Sequence, residues 1–226
     1  MTQAITPAAT SPVQRFQVLD ETGVCVSAFI RRIPGIDVSH DKEEALRRLD
    51  STHRRIRNEL GVGDWPLLTA QQVHGSDIVT INEAPRSDTQ FPGADGLVTN
   101  QRGILLGIHV ADCCAVYMVD PVARAIGLVH SGKKGTEANI AGRAIARLAQ
   151  ELGAEPSRMV VQLSPCIRPP HYEIDFAATI IQQCRESGVQ QIHDDGDCTG
   201  CDLERFYSYR LEKGKTGRML ALVGLK

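Results

Sequence analysis

The chain has 226 residues, enough to bury a full core as one domain, and its 42% apolar and 23% charged residues suit a folded globular protein rather than a disordered one. A formal net charge of -2, with Lys and Arg spread along the chain, argues against a nucleic-acid partner and favours a small-molecule substrate. No run approaches the roughly 18 apolar residues of a membrane span, and the MTQAITPAATSPVQ start has no signal-peptide character, so a cytoplasmic protein with no membrane partner is expected.

Residues 1–12, rich in Ala, Thr, Pro and Ser, read as a loose tail ahead of a single domain over 13–226. Val13 to Leu19 and Val24 to Ile30 alternate in character around Asp20-Glu21-Thr22-Gly23, which predicts an edge hairpin. Asp41 to Leu60 carries Ala45, Leu49, Ile56 and Leu60 near helical spacing, with Ser39 or Asp41 as cap and Gly61 as stop. The outer face of that helix holds five arginines, among them Arg54. Extended character returns over Leu67 to Gln72 and Asp77 to Ile81, with Val73-His74-Gly75-Ser76 as the bend. Ala84 to Gly93 reads as a loop, and Ala94 to Thr99 as a turn into a short strand.

The stretch from Ile104 to Thr136 organises the rest. It holds three apolar runs of strand length, Ile104 to Val110, Ala115 to Val119 and Ala125 to Val129. Asp112 and Cys113 stand where the first ends, His130 where the third ends, and Lys133-Lys134 follow between glycines. Thr136 reads as the cap of a helix through Ile140, Ala144, Ile145 and Leu148 to a Gly153 stop. A strand over Arg158 to Leu163, a helix over about Phe176 to Glu186, a polar loop, a helix near Leu203 to Leu211 and a strand over Met219 to Val223 complete the pattern.

Strand ends are where a rigid sheet delivers reactive side chains to a cleft. Two imidazoles and a thiol at such ends, His74, Cys113 and His130, suit a zinc ion that keeps one position for water, and the same ligands suit a single copper. A metal-free alternative uses Cys113 as nucleophile and His130 as base. Seven cysteines, an odd number without a scaffold spacing, read as reduced thiols, with Cys25, Cys114 and Cys184 as packing. Cys198 and Cys201 with His193 nearby lack a second thiol pair and read as an unliganded loop, and His109 as a satisfied, partly buried imidazole. The chain has seven histidines, His40, His53, His74, His109, His130, His171 and His193, too few for a four-copper relay.

In order, Gln72-Val73-His74-Gly75, Ala94-Asp95-Gly96-Leu97-Val98-Thr99, Ala111-Asp112-Cys113, His130-Ser131-Gly132 and Gly135-Thr136 resemble the signature blocks of the YfiH-type laccase-domain proteins. The likeness continues through Pro165-Cys166-Ile167, Tyr172-Glu173, Cys198-Thr199, Phe206 to Arg210 and Thr216-Gly217-Arg218. It implies one α+β (mixed α/β) domain with mixed sheets packed between helices, and zinc on the residues matching His74, Cys113 and His130. It also implies purine nucleoside chemistry: phosphorolysis of adenosine, inosine and methylthioadenosine, with adenosine deamination alongside, by a monomer or homodimer. An older family description is copper polyphenol oxidase. Where the family has Gly, Trp and Arg after the second histidine, this chain has Gly132, Lys133 and Lys134. The loss of Trp removes a flat stacking surface, and Lys replaces a bidentate fork with a point charge. For phosphate, Lys133, Lys134 and the helix start at Thr136 are the expected seat, with Arg54 aligning loosely to a family arginine. Asp112 is the nearest carboxylate for proton transfer, or a turn residue holding a ligand in place.

Overall fold

The computed structural model describes residues 11–226, and the architecture is a mixed α+β domain of two six-stranded sheets. The first sheet runs, edge to edge, through β1 (Val13–Gln14), β2 (Cys25–Ile30), β12 (Met219–Leu225), β7 (Leu105–Val110), β3 (Leu67–Ala70) and β5 (Thr89–Phe91). The second runs through β11 (Gln191–Asp194), β10 (Val160–Leu163), β8 (Cys114–Asp120), β9 (Ala125–Ser131), β6 (Gly96–Thr99) and β4 (Ile78–Ile81). Both sheets are mixed: β3 is parallel to β5 and β7, β4 to β6 and β10 to β11, and the other pairs are antiparallel.

The period-two alternation of β8 explains why the sheets stack. Ala115, Tyr117 and Val119 join the core shared with β2, β7 and β12, while Cys114, Val116 and Met118 join a second core beneath the helices α4 (Ile140–Leu152) and α5 (Phe176–Glu186). The Tyr117 hydroxyl crosses between the sheets and donates to the Ala28 carbonyl at 2.8 Å. On the far side of the first sheet lies α2 (Lys42–Glu59), which buries Ala45, Leu49, His53 and Ile56 along one stripe. The order of layers is therefore helix, sheet, sheet, helices.

The Asp41 cap is present, its carboxylate accepting the Glu44 N–H at 3.0 Å, and the stops at Gly61 (φ 73°) and Gly153 (φ 69°) are left-handed as required. Four expectations need correction. The edge pair of β1 and β2 forms, but the segment between is the single helical turn α1 (Gln17–Asp20), because Phe16 and Leu19 both turn into the core and Phe16 meets Tyr117 edge-on at 5.2 Å. Thr136 caps nothing: it lies inside the short helix α3 (Lys133–Glu137), and Asn139 caps α4 by accepting the Gly142 N–H at 3.1 Å. Leu203 to Leu211 is a series of turns rather than a helix. Asp202 ties down the N–H groups of Glu204 and Arg205, and the Tyr207 ring is buried with its hydroxyl on the Ile33 backbone. Finally, β5 and β11 form within segments read as loops; both are partly exposed edge strands that pair in parallel with a buried neighbour, so neither needs an apolar pattern of its own. Of the tail, residues 1–10 lie outside the described residues. Pro12 is already tied to the fold, its carbonyl accepting the Arg31 N–H at 2.8 Å.

His53 of α2 faces His109 of β7 with ring centroids 6.3 Å apart, and its Nε2 has no partner. Burial pushes its pKa down to about 4, so the folded protein holds it neutral where an unfolded chain would bind a proton near 6.5. His109, driven to about 3 first by burial and then by the charges of His53 and Lys42, acts in the same sense. This contribution to stability is complete above about pH 6.5 and lost as pH falls towards the folded-state value, an effect of about 3 kcal/mol for His53 alone. Urea midpoints at stepped pH should therefore decline more steeply below pH 6.5 in the wild type than in His53→Asn; parallel declines would remove His53 as the cause.

Candidate metal centre

The two sheets meet at one end of the molecule in a cavity of about 770 Å³, lined by His74, Cys113, His130, Lys133, Lys134 and Tyr209 among others. His74 sits just beyond β3, Cys113 in the bend between β7 and β8, and His130 next to the end of β9 before α3. The three present one ligand atom each, all within 4.8 Å of one another. The rings of His74 and His130 stand edge to face with centroids 4.9 Å apart. Among the described residues, this is the one group of three or more His, Cys, Asp or Glu side chains arranged to hold an ion. The pair Cys198 and Cys201 has no such third partner, and all seven cysteines are free.

Asp95, the residue before β6, is fully buried and anchors the cluster. Its Oδ1 lies 2.8 Å from His130 Nδ1 and accepts the His74 N–H at 3.0 Å, while Oδ2 accepts the N–H groups of Val73 at 3.1 Å and Gly75 at 2.7 Å. One carboxylate thus shapes the loop that carries the first imidazole and orients the second. With Nδ1 engaged, His130 turns Nε2 to the cavity, the arrangement that histidine ligands commonly show. Burial alone would raise the Asp95 pKa, but these hydrogen bonds and the His130 charge hold it below the ordinary carboxylate value.

The same balance acts on the ligands. Burial opposes the Cys113 thiolate, yet hydrogen bonds and charge from His130 and His74 bring its pKa down to about 6. Burial opposes the His130 cation, yet Asp95 and Cys113 raise its pKa to about 9. A deprotonated thiolate beside two imidazoles is the donor chemistry of an open zinc or copper site, so these residues fit a metal. The backbone makes room for it. Gln72, His74 and Asp112 have positive φ of 63°, 61° and 84°, a conformation rare for such side chains, and a Cβ on Gly132 would lie 2.5 Å from Cys113 Sγ.

The remaining expected site residues divide. Lys133 and Lys134 are exposed and line the cavity. Thr136 does not: it is buried, and its hydroxyl is 2.8 Å from that of Ser131. Arg54 points elsewhere, bonded to Asp50 at 2.8 Å on the outer face of α2 and lining a separate, smaller cavity with His53 and Asp88. Neither therefore reaches the cavity to hold a phosphate there. Asp112 borders the cavity, but its Oδ1 accepts from the Thr199 hydroxyl and its Oδ2 from the Arg210 N–H, each at 2.7 Å. With both oxygens engaged it is a positioning residue that joins the Cys113 bend to the 199–210 segment. Sequence reasoning did not single out Asp95, Lys42 or Arg218. The first was visible only as part of the Ala94 to Thr99 block, the second as one charge on a helix, and the third as part of Thr216-Gly217-Arg218.

A family model described as multi-copper polyphenol oxidoreductase laccase matches residues 26–178 and 171–226. Relatives include purine nucleoside phosphorylase YlmD of Geobacillus stearothermophilus, 29% identical over 84% of this chain and 82% of the relative. Another, a purine nucleoside phosphorylase of Corynebacterium glutamicum, is 30% identical over 95% of both chains. The crystal structure of YlmD from Geobacillus stearothermophilus is similar with a TM-score of 0.80 and 26% identity, covering 89% of this chain and 92% of that one. The Bacillus licheniformis hypothetical protein YfiH shares the fold, with a TM-score of 0.81 at 22% identity over 96% and 98% of the two chains. With its sheets, its cluster at their junction and its matched blocks all in agreement, the chain belongs to the laccase-domain family of YfiH type.

Proposed function

We propose that this chain is a zinc-dependent purine nucleoside phosphorylase whose ion is held by His74, Cys113 and His130. The observation that carries the reading is a thiolate and two imidazoles converging in a cavity lined by aromatic rings and cations. The names of the relatives support the substrate class. In the reaction, phosphate oxygen bonds to the sugar C1′, the C1′–N9 bond breaks, and the base leaves with the electron pair and takes up a proton. The cations of the cavity draw in and orient the phosphate. Tyr172 and Tyr209 supply flat surfaces for the base in place of the missing tryptophan. Asp95 fixes the His130 ring, and Asp112 fixes the bend that carries Cys113. A zinc ion bound there would polarise a substrate oxygen or lower the pKa of a bound water. With water adding at the purine C6 and the C6–N6 bond breaking to release ammonia, the same site would carry adenosine deamination as a side activity.

Protein purified without added metal and incubated with adenosine, inosine or methylthioadenosine should release free base and pentose 1-phosphate only when phosphate is present. Elemental analysis should find zinc near one equivalent. Base release that ignores phosphate, or none in fully metallated protein, would remove the proposal. The low thiol pKa beside His130 favours one other reading, a metal-free cysteine hydrolase. Activity surviving metal removal but lost on alkylation of a single thiol would establish that instead.

A further inference from the structure

The cavity carries more positive charge than its own residues neutralise. Among the described residues, Lys42, Lys133, Lys134, Lys213 and Arg218 border it and none lies within ion-pair distance of a carboxylate, although the chain as a whole has a net charge of -2. Arg210, which also borders it, is paired with Glu173.

Two of these cations differ from the rest. Lys133, Lys134 and Lys213 are exposed, so water screens them; Lys42 and Arg218 are half-buried. Lys42 is the first residue of the 18-residue helix α2, where the helix dipole disfavours a cation, yet its ammonium turns inward and donates only to the Gln71 carbonyl, at 3.3 Å. Arg218 precedes β12 and spends one nitrogen, Nη1, on the carbonyls of Thr216 at 2.8 Å and Gly217 at 2.9 Å, with Tyr209 beside its plane at 5.7 Å. Its Nε and Nη2 make no hydrogen bond among the described residues. Burial first, then the nearness of Arg218, lowers the pKa of Lys42, and burial lowers that of Arg218. Two of the carboxylates that act on this pair are committed, Asp95 to His130 and three backbone N–H groups and Asp112 to Thr199 and Arg210, and Glu43, which also favours the Lys42 charge, is not within ion-pair distance of it. Two cations in one cavity, partly dry and within ion-pair distance of no carboxylate among the described residues, are stabilised by an anion that brings several acceptor oxygens.

We infer that Lys42 and Arg218 form the principal seat for a phosphate-type oxyanion in this cavity, with Lys133 and Lys134 as an exposed, attracting rim. The oxyanion is either free phosphate, as the phosphorolysis reading on which this partly rests requires, or the phosphoryl group of a nucleotide substrate. Arg218 presents two free N–H-bearing nitrogens as a fork, Lys42 adds a point charge, and the rim raises the encounter rate.

The test titrates inorganic phosphate into the purified, metal-containing protein and follows binding by calorimetry. Lys42→Ala and Arg218→Lys should each weaken phosphate binding about tenfold or more, while Lys133→Ala/Lys134→Ala should change the affinity by less than about threefold at physiological salt. Circular dichroism and thermal melts identify any variant that fails to fold; Lys42, at a helix start, is the conservative position. The reverse ranking, or phosphate binding unaffected by either seat variant, overturns the assignment. A nucleoside 5′-monophosphate competing with phosphate, where the plain nucleoside does not, places the substrate's own phosphoryl group in the seat. Phosphate and nucleoside binding together places free phosphate there. Both outcomes support the seat. Phosphate held by Lys42 and Arg218 with no base released leaves the seat standing and refutes phosphorolysis, whereas base release with a phosphate KM unmoved in both seat variants refutes the seat alone.

Discussion

Cys113→Ala should abolish bound metal and turnover together and leave the fold standing. The thiol projects from the bend between β7 and β8 into the cavity and is only partly buried, so its removal costs little packing. Alanine also removes a charged group that burial disfavours, which limits any loss of stability to roughly 1 kcal/mol. For the ion the loss is far greater, since three protein ligands become two. Removing a group that merely supports a ligand lowers affinity about 10- to 100-fold, and removing the ligand itself should exceed that range. His74→Ala should behave alike, because His74 is exposed and its backbone rather than its ring holds the loop. Metal content and base release measured on the same preparation check this. A variant that keeps full metal occupancy would show that the ligands have been misassigned.

Asp95→Ala should do the opposite and damage fold and site at once. Its two oxygens receive the N–H groups of Val73, His74 and Gly75 and the His130 ring, and the side chain has no exposure to water. Truncation leaves buried donors unanswered, and breaking a buried hydrogen-bonded charge network of this kind typically costs about 3–5 kcal/mol. Asp95→Asn separates the two roles. It keeps an oxygen for the loop but loses the charge and presents an amide N–H to groups that are themselves donors, so stability should fall less while metal affinity drops about 10- to 100-fold. Denaturant midpoints and metal dissociation constants for the two variants provide the comparison; equal effects on both quantities would mean that Asp95 serves the fold alone.

Much of the scaffold and the three side chains that cluster at the cavity could be read from residues. The runs of β7, β8 and β9, the α2 cap at Asp41 and the stops at Gly61 and Gly153 follow from periodicity and local backbone chemistry, which act over a few neighbours. His74, Cys113 and His130 were legible because each interrupts or ends an extended segment with a reactive atom. Asp95 was not, because its partners are backbone N–H groups 20–22 positions away and a ring 35 away, and no local pattern encodes that meeting. Lys42 looked like any charge at a helix surface, since the inward turn of its chain depends on the first sheet. Thr136 was misplaced for a local reason: Asn139, three residues on, takes the left-handed φ of 55° and accepts the capping bond. The segment from Leu203 to Leu211 has apolar residues at helical intervals, yet Asp202, Arg32 and Asp112 commit its backbone to contacts outside itself.

The three clustered side chains sit where the two sheets are joined. His74 lies in the connection from β3 of the first sheet to β4 of the second and Cys113 in the one from β7 to β8, while His130, with the Asp95 that steers it, belongs to the second sheet. An ion gripped by all three would therefore rivet the seam between two slabs that otherwise adhere mainly by apolar contact, which is non-directional and tolerates slippage, with the Tyr117–Ala28 hydrogen bond as one directional tie. Coordination does not tolerate it: sliding one slab by an ångström would pull sulfur and nitrogen out of reach. With such an ion bound, chemistry and mechanical registration would be fused in this domain, so a substitution far along the seam that lets the slabs creep would silence the centre without touching His74, Cys113 or His130.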